Sequence, residues 1–199
     1  MTNNWGVDRL PITTIELVKK SIIENESKIC RIVSWVFGLL ALSLVAVYGS
    51  KAFFQNISVV GESFVLEELV IPFLPFLYAK PITWFSFFSF LYWTFGLESY
   101  RKKFMKLESA YRKILFIVVA LVAFGSLYEI LFNFAIWTAL MTVTGMMGVL
   151  NPDLLANVFN VPRAINLVFA TKLCFLIFGL SAYSLYYLRT IDRDSTKSL

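Results

Sequence analysis

The sequence contains no histidine, so any site in the chain lacks the commonest general base and the commonest metal ligand. Charged residues are also few: Asp, Glu, Lys and Arg make up 16% of the 199 residues, against about 25% in soluble domains. Apolar residues account for 58% of the chain and aromatic residues for 17%. This composition excludes an ordinary soluble domain and predicts a chain that folds in lipid.

Cysteine is scarce as well, with two residues in the whole chain. Cys30 lies at the edge of the first apolar segment and Cys174 well inside the last, so their depths in a membrane should differ by about 20 Å. A disulfide requires Cα atoms about 4–7 Å apart, which excludes a bridge or a shared metal site. No phosphate loop, nucleophile–base arrangement or metal-ligand spacing occurs in the sequence. We therefore expect no catalytic residue, no metal and no cofactor in this chain.

Four segments are apolar enough to cross a hydrocarbon core, which requires about 20 helical residues. The sequence predicts an all-α polytopic membrane protein with four transmembrane helices, at about 32–50, 82–97, 114–137 and 164–188. The remaining parts are a cytoplasmic N-terminal segment, two apolar outer loops and a cytoplasmic tail, at residues 1–31, 51–81, 138–163 and 189–199.

The distribution of Lys and Arg predicts the orientation, because cytoplasmic loops carry an excess of these residues. The N-terminal segment, the connection between spans two and three, and the tail together contain fourteen, whereas the two outer loops contain three. Both termini are therefore expected on the cytoplasmic side of the cell membrane. The same clustering at helix ends accounts for the net charge of +5 without a nucleic-acid partner.

The segment before the first span has the pattern of an amphipathic helix. Thr13 and Glu16 match a capping box. Apolar residues follow at helical spacing: Ile15, Val18, Ile22 and Ile29. This helix either lies in the membrane interface or docks on a cytoplasmic partner.

The two outer loops are apolar but are not expected to span. The run 69–79 contains Pro72 and Pro75, which prevent a continuous helix. In the second loop, Asp153 is expected to begin a short helix over residues 154–159. Long apolar loops on so small a protein indicate a surface that other subunits or lipid cover.

Glu129 and Lys172 are the candidate functional residues, because an ionisable side chain at membrane depth costs a few kcal/mol and needs a partner or a role. Glu129 lies 16 residues from Lys113 and Lys172 lies 17 residues from Arg189, which places both roughly 25 Å from the cytoplasmic boundary. The spacing predicts a structural ion pair between adjacent antiparallel helices, with hydrogen-bond support from Asn133 and Ser126.

Two alternatives to that ion pair stay open. In the first, Glu129 is a proton or cation site in a transporter. In the second, Glu129 or Lys172 pairs with a charged residue of another subunit. If the direct pair forms, Glu129→Gln and Lys172→Met should each be more harmful than the double variant, because each single change leaves a lone buried charge.

Three further patterns carry less information. A ridge of small residues on the first span predicts close helix packing: Ser34, Gly38 and Ala41. The aromatic residues of the second span are expected to contact lipid or other helices rather than a pigment or quinone. Methionines suit Cu(I), but without histidine or a nearby cysteine three of them are better explained as gap-filling residues: Met141, Met146 and Met147.

Elimination then points to a function. An enzyme is not supported, because only Glu129 and Lys172 offer ionisable groups inside the membrane. A stand-alone transporter is poorly equipped, since neither half of the chain has the broken-helix pattern of a substrate site. The prediction is a non-catalytic structural or accessory subunit of a larger integral-membrane complex, with lipid and other membrane subunits as partners. The alternative is a small homo-oligomeric transporter or channel that uses the Glu129/Lys172 pair.

Two stretches resemble small multi-span membrane proteins of ammonia-oxidising archaea: Leu127-Tyr128-Glu129-Ile130-Leu131-Phe132-Asn133-Phe134 and Asn151-Pro152-Asp153-Leu154-Leu155-Ala156-Asn157. Some of those proteins are accessory subunits of the archaeal ammonia monooxygenase, a copper membrane enzyme. The resemblance implies an accessory role in a monooxygenase complex, beside subunits that carry the copper ligands. It assigns no function to any residue of this chain.

Overall fold

The computed structural model of the chain describes residues 12–54, 60–67, 69, 80–149, 151–155 and 163–197. For residues 12–24, 52, 60 and 195–197 it describes the backbone alone. Within these ranges the protein is all-helical and has no strand, as the sequence predicts.

The described helices are four long and two short: α1 (Ile12–Phe54), α2 (Val60–Leu66), α3 (Pro81–Ser99), α4 (Arg101–Met105), α5 (Ser109–Met146) and α6 (Ala164–Lys197). Pro81 begins α3, where its missing N–H leaves no helical hydrogen bond unmade. A 3₁₀ turn, Pro152–Leu154, lies between α5 and α6, and the Asn151 side chain caps it by accepting a hydrogen bond from the Asp153 N–H.

The helices are longer than the predicted spans. The expected amphipathic helix is continuous with the first span in α1, and α5 runs past 137 into the predicted outer loop. The predicted tail continues α6 as far as Lys197. The capping-box side chains Thr13 and Glu16, most of the run 69–79 and residues 156–159 lie outside the described parts.

Three of the four predicted spans correspond to helices that are long and apolar enough to cross a membrane: Asn25–Lys51, Ser109–Met146 and Ala164–Asp194. The 19-residue helix α3, which holds the predicted second span, is not among them. Its Trp, Tyr, Ser and Thr residues are less apolar than the Leu, Ile and Val of the other helices. A membrane protein follows from these three helices.

Helix α3 runs antiparallel to α1 and is held to it by small and hydroxyl residues. Ser27 donates a hydrogen bond to the backbone oxygen of Ser99 (3.1 Å), and Ser34 donates one to that of Tyr92 (2.9 Å). A Cβ on Gly38 would lie 2.8 Å from the Tyr92 ring. The small-residue ridge therefore packs against α3, where the absence of bulk permits close approach.

Helix α6 lies between α3 and α5, parallel to the first and antiparallel to the second. The Trp93 indole donates to the Ser184 hydroxyl (2.8 Å), and the Tyr187 hydroxyl donates to the backbone oxygen of Leu97 (2.6 Å). At the end of the bundle that carries α4, Arg101 binds Asp194 at 2.8 Å, and this hydrogen bond raises the pKa of the guanidinium. The long helices are thus ordered α1, α3, α6, α5.

Helix α2 covers the opposite end of α1, α3 and α6. Tyr48, Phe64 and Ile82 form a buried cluster there, against which Phe169 of α6 packs. Ser63 donates a hydrogen bond to the backbone oxygen of Tyr48. A short apolar helix thus joins α1, α3 and α6 at one end of the bundle.

We predict that Gly61→Ala destabilises the protein by about 1–3 kcal/mol, because an added side chain overpacks the contact between α2 and α6. A Cβ on Gly61 would lie 2.9 Å from Cγ of Phe169, whereas one on Gly125 would meet nothing within 4 Å. Gly125→Ala is therefore the matched control and should unfold at or above the wild-type temperature. Equal melting temperatures for the two variants in detergent would show that α2 does not pack on α6.

Candidate functional site

Lys172 lies on α6 where this helix faces both of its neighbours, and it lines two grooves. The groove toward α5 has a volume of about 320 Å³, and the groove toward α3 a volume of about 310 Å³. We call them the α5–α6 groove and the α3–α6 groove. Because Lys172 is half-buried between them, it places an amine beside each groove.

The walls of the α5–α6 groove are apolar and aromatic apart from Lys172, Asn133 and Thr171. The Thr171 hydroxyl donates to the backbone oxygen of Leu167 at 2.6 Å, so it is used within α6. Asn133 is buried, with 8% of its surface exposed. The α3–α6 groove adds the hydroxyl residues Thr83 and Ser86.

The structure does not bring Glu129 and Lys172 into the predicted ion pair. In the described parts of the chain the ion pairs are Lys51–Glu67, Arg101–Glu98, Arg101–Asp194 and Arg112–Asp192. Neither Glu129 nor Lys172 belongs to one. The side chain of Glu129 is exposed.

Helix rotation and register explain this separation. The buried residues of α5 recur at spacings of three and four and include Ser126 and Asn133. Glu129 lies three residues after the first and four before the second, about 40–60° round the helix, at the exposed edge of the buried face. Along the axis, Lys172 shares a groove with Asn133, which is one turn, roughly 5 Å, from Glu129. Counting residues from the span boundaries placed the two charges at one depth, but it could not supply the rotation or this one-turn offset.

The two residues expected to support the pair have different surroundings. Ser126 is buried and donates to the backbone oxygen of Ala123 at 3.0 Å, so its hydrogen bond is made within α5. Asn133 lies with Lys172 in the α5–α6 groove. The structure thus associates one of the two supporting residues with the lysine and neither with an ion pair.

The arrangement can bind an anionic group. An ammonium with an amide beside it, in an apolar groove, suits a carboxylate or another anion. In the described parts of the chain no three His, Cys, Asp or Glu side chains gather as metal ligands. Met141 is half-buried, whereas Met146 and Met147 are 85% and 63% exposed. Within this chain the last two therefore do not fill gaps, contrary to the prediction.

Sequence reasoning did not find a second set of polar residues, where α5 begins and α6 ends. Arg112 is 9% exposed and its Nε lies 3.2 Å from an oxygen of Asp192. In the sequence Arg112 appeared only as one of fourteen topogenic cations. The sequence did contain a signal for this contact: Arg112 and Asp192 carry opposite charges at the ends of two consecutive spans that lie on the same side of the membrane.

We predict that Glu129→Gln and Lys172→Met have additive effects in the isolated chain, with a coupling free energy within about 0.5 kcal/mol, as for residues that do not interact. Thermal unfolding of the two single variants and the double variant in detergent measures the coupling. A double variant more stable than either single variant would instead show the direct ion pair.

Known proteins offer no match to this chain: no protein-family model, no curated protein and no solved structure matches it. The resemblance to proteins of ammonia-oxidising archaea therefore stays a prediction.

Proposed function

We propose that this chain is a non-catalytic accessory subunit of a larger integral-membrane complex. The observation that carries the proposal is Glu129, a carboxylate exposed on an apolar helix at membrane depth. A charged group that faces lipid costs several kcal/mol, so such residues normally face protein or a water-filled cavity. A neighbouring subunit that covers this side of α5 removes that cost.

The rest of α5 fits a helix at the rim of its own bundle. Its large apolar side chains are exposed along most of its length, among them Leu121, Tyr128, Leu131 and Phe132. Exposed apolar surface is equally suited to lipid and to protein in a membrane. Glu129 favours protein over lipid as the neighbour of this surface, because lipid tails offer no hydrogen bond or opposite charge to a carboxylate.

The proposal includes four spans with both termini in the cytoplasm. Helix α3 supports the fourth span, since it lies between α1 and α6 and contacts α1 from Ser27 to Phe37. Contact with two helices that are able to cross the bilayer supports the same depth for α3. The excess of Lys and Arg in the segments before α1, between α3 and α5, and at the end of α6 supports the cytoplasmic orientation.

Topology is tested with single cysteines on a background that lacks Cys30 and Cys174. With four spans, Val149→Cys is labelled by a membrane-impermeant maleimide on intact cells, and Lys103→Cys is labelled only after lysis. If α3 does not cross, the segment that contains Lys103 lies outside the cell and the segment that contains Val149 lies inside, so both labelling results are reversed. Labelling of Lys103→Cys from outside would therefore contradict the four-span proposal.

The resemblance to subunits of the archaeal ammonia monooxygenase names the complex to examine first. In that assembly the partner subunits hold the copper, and this chain contributes scaffold in the cell membrane. Lys172 offers a second attachment point, because a partner's carboxylate fits the apolar grooves on either side of it. Two charged residues on different faces suit a subunit that is held on more than one side.

A homo-oligomeric transporter is the second candidate, and the two grooves that meet at Lys172 favour it. In an oligomer, the exposed Glu129 of one copy would face a groove of the next and complete a charged path between protomers. This arrangement uses the same two residues but requires only copies of this chain.

Extraction of native membranes in mild detergent, followed by native separation and mass spectrometry, discriminates between the two candidates. We expect stoichiometric co-migration with other membrane subunits, and more than tenfold less of them with Glu129→Gln, because breaking a buried charge pair costs about 3–5 kcal/mol. Glu108→Gln, which removes an exposed carboxylate just before α5, is the control and should keep the partners. A chain that runs alone would contradict both candidates, and one that runs as a homo-oligomer would replace the first with the second.

A further inference from the structure

We propose that the groove between the start of α5 and the end of α6 binds the phosphate headgroup of an anionic phospholipid. Three cations line this basic groove, Arg112, Lys113 and Arg189, together with the single carboxylate of Asp192. The lining therefore has an excess of two positive charges. The groove volume of about 480 Å³ is sufficient for a headgroup and the first part of an acyl chain.

The depth of the groove matches the headgroup region. Arg112 and Lys113 begin the apolar part of α5, and Arg189 ends that of α6. Tyr111 and Tyr186, on the same two helices, are 62% and 68% exposed. Exposed tyrosines at the ends of spans mark the interface between hydrocarbon and water, so the groove opens at the level of lipid phosphates.

The walls of the groove, like a lipid molecule, have a charged part near the membrane surface and an apolar part deeper in the bilayer. Phe116 and Ile117 lie one turn deeper than the cations and continue the groove along α5 toward the bilayer centre. A lipid places its phosphate beside cations and its acyl chain along apolar side chains. A free phosphate ion would use the cations but would gain nothing from the apolar wall.

Arg112 is positioned for this role by its ion pair with Asp192. The contact from its Nε to the carboxylate, at 3.2 Å, holds the buried side chain in place at the groove. A guanidinium can engage a phosphate through two parallel N–H groups. Lys113 and Arg189 are exposed and supply charge at the mouth.

The experiment uses the purified full-length chain in detergent with two added lipids that have the same acyl chains, phosphatidylglycerol and phosphatidylcholine. Thermal unfolding and native mass spectrometry report binding. We expect the phosphatidylglycerol to raise the unfolding temperature and to remain bound, and the phosphatidylcholine to do neither. Removing two cations with Lys113→Gln and Arg189→Gln should weaken phosphatidylglycerol binding roughly 25-fold, since each cation contributes about a factor of five.

The matched control is the double variant Lys102→Gln and Arg193→Gln, which removes two exposed cations at the same end of the bundle but outside the groove. It should bind phosphatidylglycerol like the wild type. Equal responses to the two lipids, or equal losses in the two double variants, would overturn the site. If inorganic phosphate alone raised the unfolding temperature equally, the proposal of a lipid ligand would be contradicted, and the groove would be a site for a soluble anion.

Discussion

The position of α6 between α3 and α5 is the constraint on which the rest of the structure depends. Lipid tails are as apolar as leucine, so the hydrophobic effect does not drive helices together within a bilayer. Close approach and interhelical hydrogen bonds must do so. On one side of α6 these are the hydrogen bonds of Ser184 and Tyr187 with α3, and on the other side the ion pair of Asp192 with Arg112 adds a charged contact. They connect the α1–α3 pair to α5.

The central position of α6 also determines the surroundings of the two charged residues Lys172 and Glu129. Lys172 lies between two grooves because its helix has a neighbour on each side. Glu129 is exposed at the edge of the buried face of α5, which has its main contacts with a single helix, α6. A helix at the rim has a large free surface, and we propose that a carboxylate there contacts a neighbouring subunit. The proposed role as an accessory subunit follows from that asymmetry.

The two ends of the bundle differ in chemistry. At the end that carries α2, packing is aromatic and apolar, with Tyr48 and Phe64 in the buried cluster. At the end that carries α4, ion pairs of Arg101 and Arg112 with the last turns of α6 hold the helices together. Arginine is suited to that position, because its stem packs on apolar surface while its planar head engages carboxylate or phosphate.

The sequence alone determined the fold class and three helices able to cross the membrane, because apolar runs of span length report their environment directly. It also indicated the close packing of α1 through Ser34, Gly38 and Ala41. It did not determine whether Glu129 and Lys172 meet, since counting residues gives an approximate depth but neither the rotation about the helix axis nor the register between neighbouring helices. Tertiary structure decided those two quantities. By setting the rotation of α5 and its register against α6, it left Glu129 and Lys172 without the ion pair that the sequence predicts.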